Sequence, residues 1–319
     1  MMLKDYISKN HIGTLYEYHE LKQYTTFKIG GICRYYIEVS SIVKLSLLIK
    51  YLKKINYLYY ILGNGSNLLI DDCFLDCVFI SLKKLNKITK LAENIYMLDA
   101  GLKPNLLGIK LVKDGFIDAI PFCLIPGTIG GLTYMNASCF KKSIQNIVKS
   151  VICMDHFGNI IFLKDCQFSY RKSIFQELNL IILKVIFEFK EKKEDAYSTL
   201  KKYQNIKKTT QPMLVNTSGS MFMNDLNYHA WELIDKLKLR GFSINDACIS
   251  MIHTNFFLNK GNAKFKEMIA LIYYVKTKIF LEFNIKLKLE VKIITIQSIA
   301  YSKNNLRNKI DWEGNYESF

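Results

Sequence analysis

Ile125-Pro126-Gly127-Thr128-Ile129-Gly130-Gly131, with Tyr134-Met135-Asn136-Ala137 just after it, is the stretch on which the fold turns. Three glycines and a proline in seven residues close an apolar run that begins at residue 117. Glycine admits φ > 0 and lets a backbone approach another group without a Cβ in the way. The preceding run is too hydrophobic for a surface loop, so the loop's amide groups need partners, which a bound ligand can supply. The plainer expectation is a tight turn between two buried strands. A second glycine loop weighs against it. The strand-like run 57–62 leads at once into Gly63-Asn64-Gly65-Ser66-Asn67 and then Leu68-Leu69-Ile70. A strand entering such a turn presents consecutive N–H groups in a concave nest suited to a pyrophosphate. The pattern is neither the Rossmann fingerprint, which needs a third glycine and a helix, nor a P-loop, which needs Lys-Ser/Thr.

Half of the 319 residues are hydrophobic, enough for a large core and two or three domains. No run of about 18 uninterrupted apolar residues suggests a membrane span. Residues 115–135 come nearest and are broken by Asp118 and two prolines. Met1-Met2-Leu3-Lys4-Asp5 opens without a secretory pattern. The eight cysteines are scattered at 33, 73, 77, 123, 139, 153, 166 and 248 without a Cys-x-x-Cys pair. Reduced thiols in a cytoplasmic protein are therefore expected, and no metal site. The net charge of +16 is spread along the chain rather than gathered in a tract. A bias toward residues with A/T-rich codons accounts for much of it, so neither a nucleic-acid nor a membrane partner is expected. A basic surface also suits an anionic small molecule.

Taken in order, 24–31 carries a strand-and-turn signal and 35–39 a strand. Ser40 and Ser41 are candidate N-caps for a helix whose apolar positions run from Ile42 to Ile55. The βαβ-like order continues through the 57–62 strand, the glycine loop and a strand at 78–82. Pro104 opens a short buried helix closed by Gly115, and 148–154 with 159–163 frame a hairpin around His156-Phe157-Gly158. A strand at 180–188 precedes a lysine- and glutamate-rich break at 190–194. Helices are expected at 228–239 and 263–282, and strict alternation over 285–293 predicts a strand. The predicted class is α+β: a first region at 1–195 with two subdomains split near 75–80, a second domain at 200–297 and a polar tail at 298–319.

Arg171 follows a strand-like pair in Tyr170-Arg171-Lys172-Ser173-Ile174-Phe175; Ser220 sits at the Ser218-Gly219-Ser220 turn; Glu290 is the one carboxylate among lysines on its alternating face. Singly, each has a plain structural account: surface cation, turn residue, and ion pair with Lys288 or Lys292. Together with both glycine loops and with Thr26-Phe27-Lys28-Ile29-Gly30-Gly31, Gln211-Pro212, His253-Thr254-Asn255-Phe256, Asn259-Lys260-Gly261-Asn262-Ala263 and Leu289-Glu290-Val291, they form an ordered set. On those motifs the chain resembles the MurB-type UDP-N-acetylenolpyruvoylglucosamine reductases from about residue 25 to 293. The short interval between Arg171 and Ser220 resembles the subgroup without an extra tyrosine-bearing substrate loop.

The resemblance implies an FAD-binding domain of the vanillyl-alcohol-oxidase/PCMH type and a C-terminal α+β domain that binds the UDP-sugar. FAD would contact Gly63, Asn64, Gly65, Ser66, Asn67 and Leu68 on one loop, and Pro126, Gly127, Thr128, Gly130 and Gly131 on the other. NADPH would reduce the flavin, and hydride would then pass from flavin N5 to C3 of the enolpyruvyl ether. Arg171 and Glu290 would stabilise the resulting enolate, and Ser220 would protonate C2. Burial should raise the Glu290 pKa so that it can donate a hydrogen bond. Tyr134, Asn136, Lys208 and Asn224 are implied substrate contacts, Lys207 or Lys208 would support the serine, and the protein would act as a monomer.

The chain departs from the family pattern in places. Ser138-Cys139-Phe140-Lys141 stands where Gly-Ala-Tyr-Gly is usual, and Asp225 and Leu289 replace prolines. Asn245-Asp246-Ala247 replaces Gly-Gly-Ala. Three other readings compete, of which a degenerate, non-catalytic relative that keeps the fold is opposed by the intact Arg171, Ser220 and Glu290. A sugar-acid or lactone oxidase of the same fold commonly carries a flavin-linking histidine near the glycine loops, yet none occurs between His19 and His156. A basic nucleic-acid-binding protein would show steeply salt-dependent affinity.

Overall fold

A computed structural model of the chain describes residues 2–296 and 298, so the polar tail lies, Ser298 apart, outside the described residues. The first layer comprises α1 (Leu3–Lys9), β1 (Gly13–Glu20), β2 (Ile32–Val39), α2 (Ile42–Lys54), β3 (Tyr59–Leu62), β4 (Leu68–Ile70) and β5 (Leu75–Ser81). Its sheet runs β1-β2-β5-β3, with β2 and β3 both parallel to β5. Helix α2 starts where Ser41 accepts a hydrogen bond from the Lys44 N–H, and it buries Leu45, Leu48, Ile49 and Leu52.

The chain continues through β6 (Ile88–Lys90), β7 (Ile95–Asp99), α3 (Asn105–Lys113), α4 (Ile120–Leu124), α5 (Ile129–Tyr134), β8 (Ser138–Cys139) and β9 (Lys142–Ser143). Then follow β10 (Val148–Met154), β11 (Ile160–Leu163), α6 (Ile174–Glu177), β12 (Ile181–Glu188) and α7 (Ala196–Thr210). A five-stranded antiparallel sheet runs β11-β10-β12-β7-β6. The β10–β11 hairpin turns where Asp155 Oδ1 accepts from the N–H groups of Phe157 and Asn159. One core joins this sheet to α2, and Ala196 and Leu200 of α7 belong to it.

Past α7 come α8 (Ala230–Lys236), β13 (Ser243–Ile244), β14 (Ala247–Ile249), β15 (Phe257–Asn259), α9 (Phe265–Phe283) and β16 (Lys292–Ile294). Helix α9 turns Met268, Leu271, Ile272, Val275 and Ile279 onto the β13-β14-β15 sheet side. This core also takes Phe27, Ile29 and Leu69 from the opposite end of the sequence. Asn259 fastens the join: its Nδ2 donates to Phe27 O at 2.9 Å, and its Oδ1 accepts from the N–H groups of Gly261 and Ala263. Asp72 Oδ2 accepts from the Phe265 N–H, placing a carboxylate at the positive end of α9.

Four expectations change. Residues 24–31 form no strand; Thr25 Oγ1 donates to Ile29 O, and Phe27 and Ile29 plug into the C-terminal core instead of joining a sheet. Residues 125–128 join helices α4 and α5, and 129–131 form the first turn of α5, rather than a turn between strands, because Pro121 opens α4 and Thr128 caps α5. The helix expected at 228–239 is confined to Ala230–Lys236. Within 285–293 only 292 and 293 are strand, continuing to Ile294, and Leu289 makes an isolated bridge to Phe222. The alternation there records Leu287 and Val291 entering the core, not a long ladder.

The departure at 138–141 is a two-residue hairpin in which Phe140 and Lys141 both have positive φ, 46° and 60°. That turn favours Asn-Gly. Phe140 compensates by stacking on Tyr203 at 4.1 Å, whereas Lys141 is exposed. Lys141→Gly should therefore stabilise the protein by about 0.5–1 kcal/mol, read as a higher denaturant midpoint with unchanged slope.

Candidate active site

A cleft of about 1500 Å3 is walled by both glycine loops, the β8–β9 hairpin, Arg171, α7, the 211–220 segment and Glu290. In the first loop Gly65 has φ +63°, and a Cβ there would stand 2.1 Å from Tyr24 O, so only glycine fits. Its carbonyl accepts from the Thr26 N–H at 3.2 Å. Among the described residues, the main-chain N–H groups of Asn64, Gly65, Ser66 and Asn67 have no protein acceptor. Ser66 Oγ donates to Pro126 O at 3.0 Å, tying this loop to the second.

The second loop is less open. Ile129 and Gly130 donate their N–H groups to Leu102 O and Ala100 O, and a Cβ on Gly130 would meet Ala100 at 3.0 Å. Thr128 Oγ1 accepts from the Gly131 N–H. Only Gly127 and Thr128 keep main-chain N–H groups without a protein acceptor among the described residues. The open amides face a volume above the usual 300–1000 Å3 of a small-ligand pocket. That combination fits a dinucleotide together with a second ligand.

Arg171 is presented by a turn closed by reciprocal Ser169 and Lys172 main-chain hydrogen bonds, with φ +58°. The turn is pinned to the end of α5, since Ser173 Oγ and Gln176 Nε2 both donate to Tyr134 O at 2.7 Å. Its Nε lies 2.7 Å from Glu290 Oε1, an ion pair whose N–H is poorly aligned for a hydrogen bond. Both side chains are largely buried. Burial raises the Glu290 carboxyl above its ordinary pKa while the Arg171 charge opposes the rise.

Glu290 is held from two sides. Asn67 Nδ2 donates to its carbonyl at 3.0 Å, and its own N–H donates to Met221 O at 2.9 Å. Ser220, next to Met221, bridges Phe256 and lines the same cleft. Asn255 Oδ1 and Nδ2 bond the Phe222 N–H and carbonyl, locking the strand-like run after the serine. Arg171, Ser220 and Glu290, 119 positions apart at the extremes, thus line one cleft.

Tyr134 and every glycine-loop residue singled out from the sequence line the cleft. Asn136, Lys208 and Asn224 are not among the lining residues. Asn136 is buried, with Nδ2 on Gln145 and Ser169 O and Oδ1 on Ser143 and Gln145. Asn224 Oδ1 accepts from the Ala230 N–H at the start of α8, and Lys208 is exposed. Lys207 is the member of the lysine pair that lines the cleft; it donates to Leu124 O at 2.8 Å, and burial lowers its pKa. Sequence reasoning missed Ser138, whose Oγ accepts from Arg171 Nη1 at 3.2 Å. The only signal was its departure from the family glycine.

A mixed α/β scaffold with a pyrophosphate-type amide nest, sharing its cleft with a buried arginine–carboxyl pair, is the arrangement of an FAD-dependent oxidoreductase. Residues 33–164 match a family model described as an FAD binding domain, and residues 211–294 match the UDP-N-acetylenolpyruvoylglucosamine reductase C-terminal domain. A UDP-N-acetylenolpyruvoylglucosamine reductase from Carboxydothermus hydrogenoformans is 32% identical over 295 residues, covering 92% of this chain and 98% of that protein. One from Rickettsia typhi is 35% identical over 284 residues, covering 86% and 94%. The crystal structure of UDP-N-acetylenolpyruvylglucosamine reductase (MurB) from Thermus caldophilus superposes with a TM-score of 0.73 at 26% identity, covering 88% of this chain and 98% of that one. This chain belongs to the UDP-N-acetylenolpyruvoylglucosamine reductase family.

Proposed function

We propose that the protein reduces the enolpyruvyl ether of UDP-N-acetylglucosamine to UDP-N-acetylmuramate, a peptidoglycan precursor, at the expense of NADPH, with Arg171, Ser220 and Glu290 as its catalytic residues. The observation that carries this reading is the buried Arg171–Glu290 contact in the cleft that Ser220 also lines. The open amides of 64–67 and those of Gly127 and Thr128 would hold the FAD pyrophosphate. FAD, when bound, supplies the hydride that adds to C3 of the substrate.

Addition at C3 leaves negative charge at C2, shared with the adjoining carboxylate. The Arg171 guanidinium meets that charge in a site largely closed to water, where it counts most. Glu290, whose protonated form burial favours against the pull of Arg171, would donate a hydrogen bond to the same carboxylate. Ser220 delivers the proton to C2. A serine is a weak acid, so it needs a cationic neighbour as the alkoxide forms, and Lys207, which lines the same cleft, is the candidate for that role. Tyr134 is the remaining candidate substrate contact in the cleft.

No helix among the described residues is long and apolar enough to cross a membrane. We take the protein to act as a cytoplasmic monomer, without nucleic acid, because its substrate is a nucleotide sugar and its cysteines are all free thiols. The test is direct. Purified protein should be yellow and oxidise NADPH only when the enolpyruvyl sugar nucleotide or a surrogate acceptor is present. Stripping the flavin should abolish turnover and adding FAD back should restore it; a colourless preparation with the same activity would refute the reading.

A further inference from the structure

Arg171 touches the carboxylate of its nearest partner, Glu290, yet makes no aligned two-point fork with it. Its Nε is 2.7 Å from Glu290 Oε1 without an aligned N–H, while Nη1 donates to Ser138 Oγ at 3.2 Å. Its Cζ stands 5.5 Å from the centre of the Tyr170 ring. Among the described residues, the bond to Ser138 is the one well-directed hydrogen bond the guanidinium donates. Ser138 belongs to the β8–β9 hairpin, which the Phe140–Tyr203 stack ties to α7. The family pattern has glycine at this position, and glycine has no hydroxyl to offer.

We propose that Ser138 is a positioning residue that turns the Arg171 guanidinium out of a fork with Glu290 and leaves both groups available to the substrate carboxylate. The inference rests on the roles given above to Arg171 and Glu290. Without the hydroxyl, the guanidinium is free to rotate into a bidentate pair with the carboxylate, the geometry such ions favour. That pair stabilises the ionised form of Glu290 and occupies the donors the substrate needs. The charged or titratable groups around this pair are Arg171 against Glu290, Cys139 and Lys207 on the Arg171 side, and Lys292 two residues beyond Glu290. Of these, only Arg171 acts directly on Glu290, so its orientation governs that carboxyl.

The decisive comparison is Ser138→Thr against Ser138→Val in the FAD-loaded enzyme, since the two have nearly the same shape and differ in the hydroxyl. Flavin absorbance and NADPH-driven flavin reduction serve as checks on the fold. With protonated Glu290 the active form, turnover falls as pH rises through its raised pKa. Ser138→Val should move that falling limb about one pH unit lower. It should also raise KM for the enolpyruvyl sugar nucleotide about 5–10-fold. Ser138→Thr should keep both near the parent values, and Ser138→Gly should follow valine. Matching limbs and KM in Thr and Val variants overturn the inference. Glu290→Gln separates the two levels: full turnover in it removes the underlying site reading. A dead Glu290→Gln beside indistinguishable Ser138 variants removes only the role of Ser138.

Discussion

Ser220→Ala should leave NADPH-driven flavin reduction at its normal rate while lowering turnover of the enolpyruvyl substrate by about 10²–10⁴-fold, the usual worth of a positioned general acid. The serine lines the same cleft as the glycine loops, and among the described residues its main chain is held by the bridge to Phe256 and through the neighbouring Met221, not by its hydroxyl. Removing the hydroxyl should therefore leave the backbone, the carboxylate site and the flavin loops in place. Stopped-flow absorbance at the flavin band, first with NADPH alone and then with the sugar nucleotide, reads the two halves separately. A normal second half-reaction would remove Ser220 from the chemistry. Turnover lost in both halves would point instead to damage at the flavin loops.

Arg171→Ala should cost about 10²–10³-fold in kcat/KM, the range seen when one donor to a developing oxyanion is deleted. Two consequences combine. The substrate carboxylate loses its counter-charge, and Glu290 keeps its burial but loses the one cation that opposed the rise of its pKa. The carboxyl should then remain protonated to higher pH, so the falling limb of the residual activity should move upward. Arg171→Lys restores charge without the planar fork and should recover only part of the rate. Steady-state profiles of both variants check this. Unchanged kcat/KM in Arg171→Ala would mean that the arginine is only the structural partner of a buried glutamate.

The largest effects sit on residues that composition and periodicity did not distinguish. Read singly, Glu290 was a carboxylate among lysines, for which pairing with Lys288 or Lys292 was the plain account. The structure pairs it with Arg171 instead, because residues 285–291 cross the molecule as a mostly unladdered segment held by Asn67, Met221 and Phe222. In the same way Thr26-Phe27-Lys28-Ile29 resembles a strand locally, yet its apolar pair belongs to a core assembled mainly from residues after 220. No local rule reports on a partner two hundred positions away.

What this sequence determined by itself lies in short-range physics. Helix α2 with its Ser41 cap, the β10–β11 hairpin, the strand at Ile181–Glu188 and the stripe of α9 follow from spacing, caps and turn residues within a few positions. The positive φ of Gly65 in the 63–67 nest belongs here too, although the close approach of Tyr24 O that also demands glycine there does not. Tertiary structure alone decided the closure of the site: the Ser66–Pro126 tie between loops, the turn of Asn136 into the protein, the placing of Lys207 rather than Lys208 on the cleft, and the hold of Ser138 on Arg171. Each depends on which distant backbone lies within hydrogen-bonding reach, a matter of three-dimensional packing that no spacing along the chain encodes.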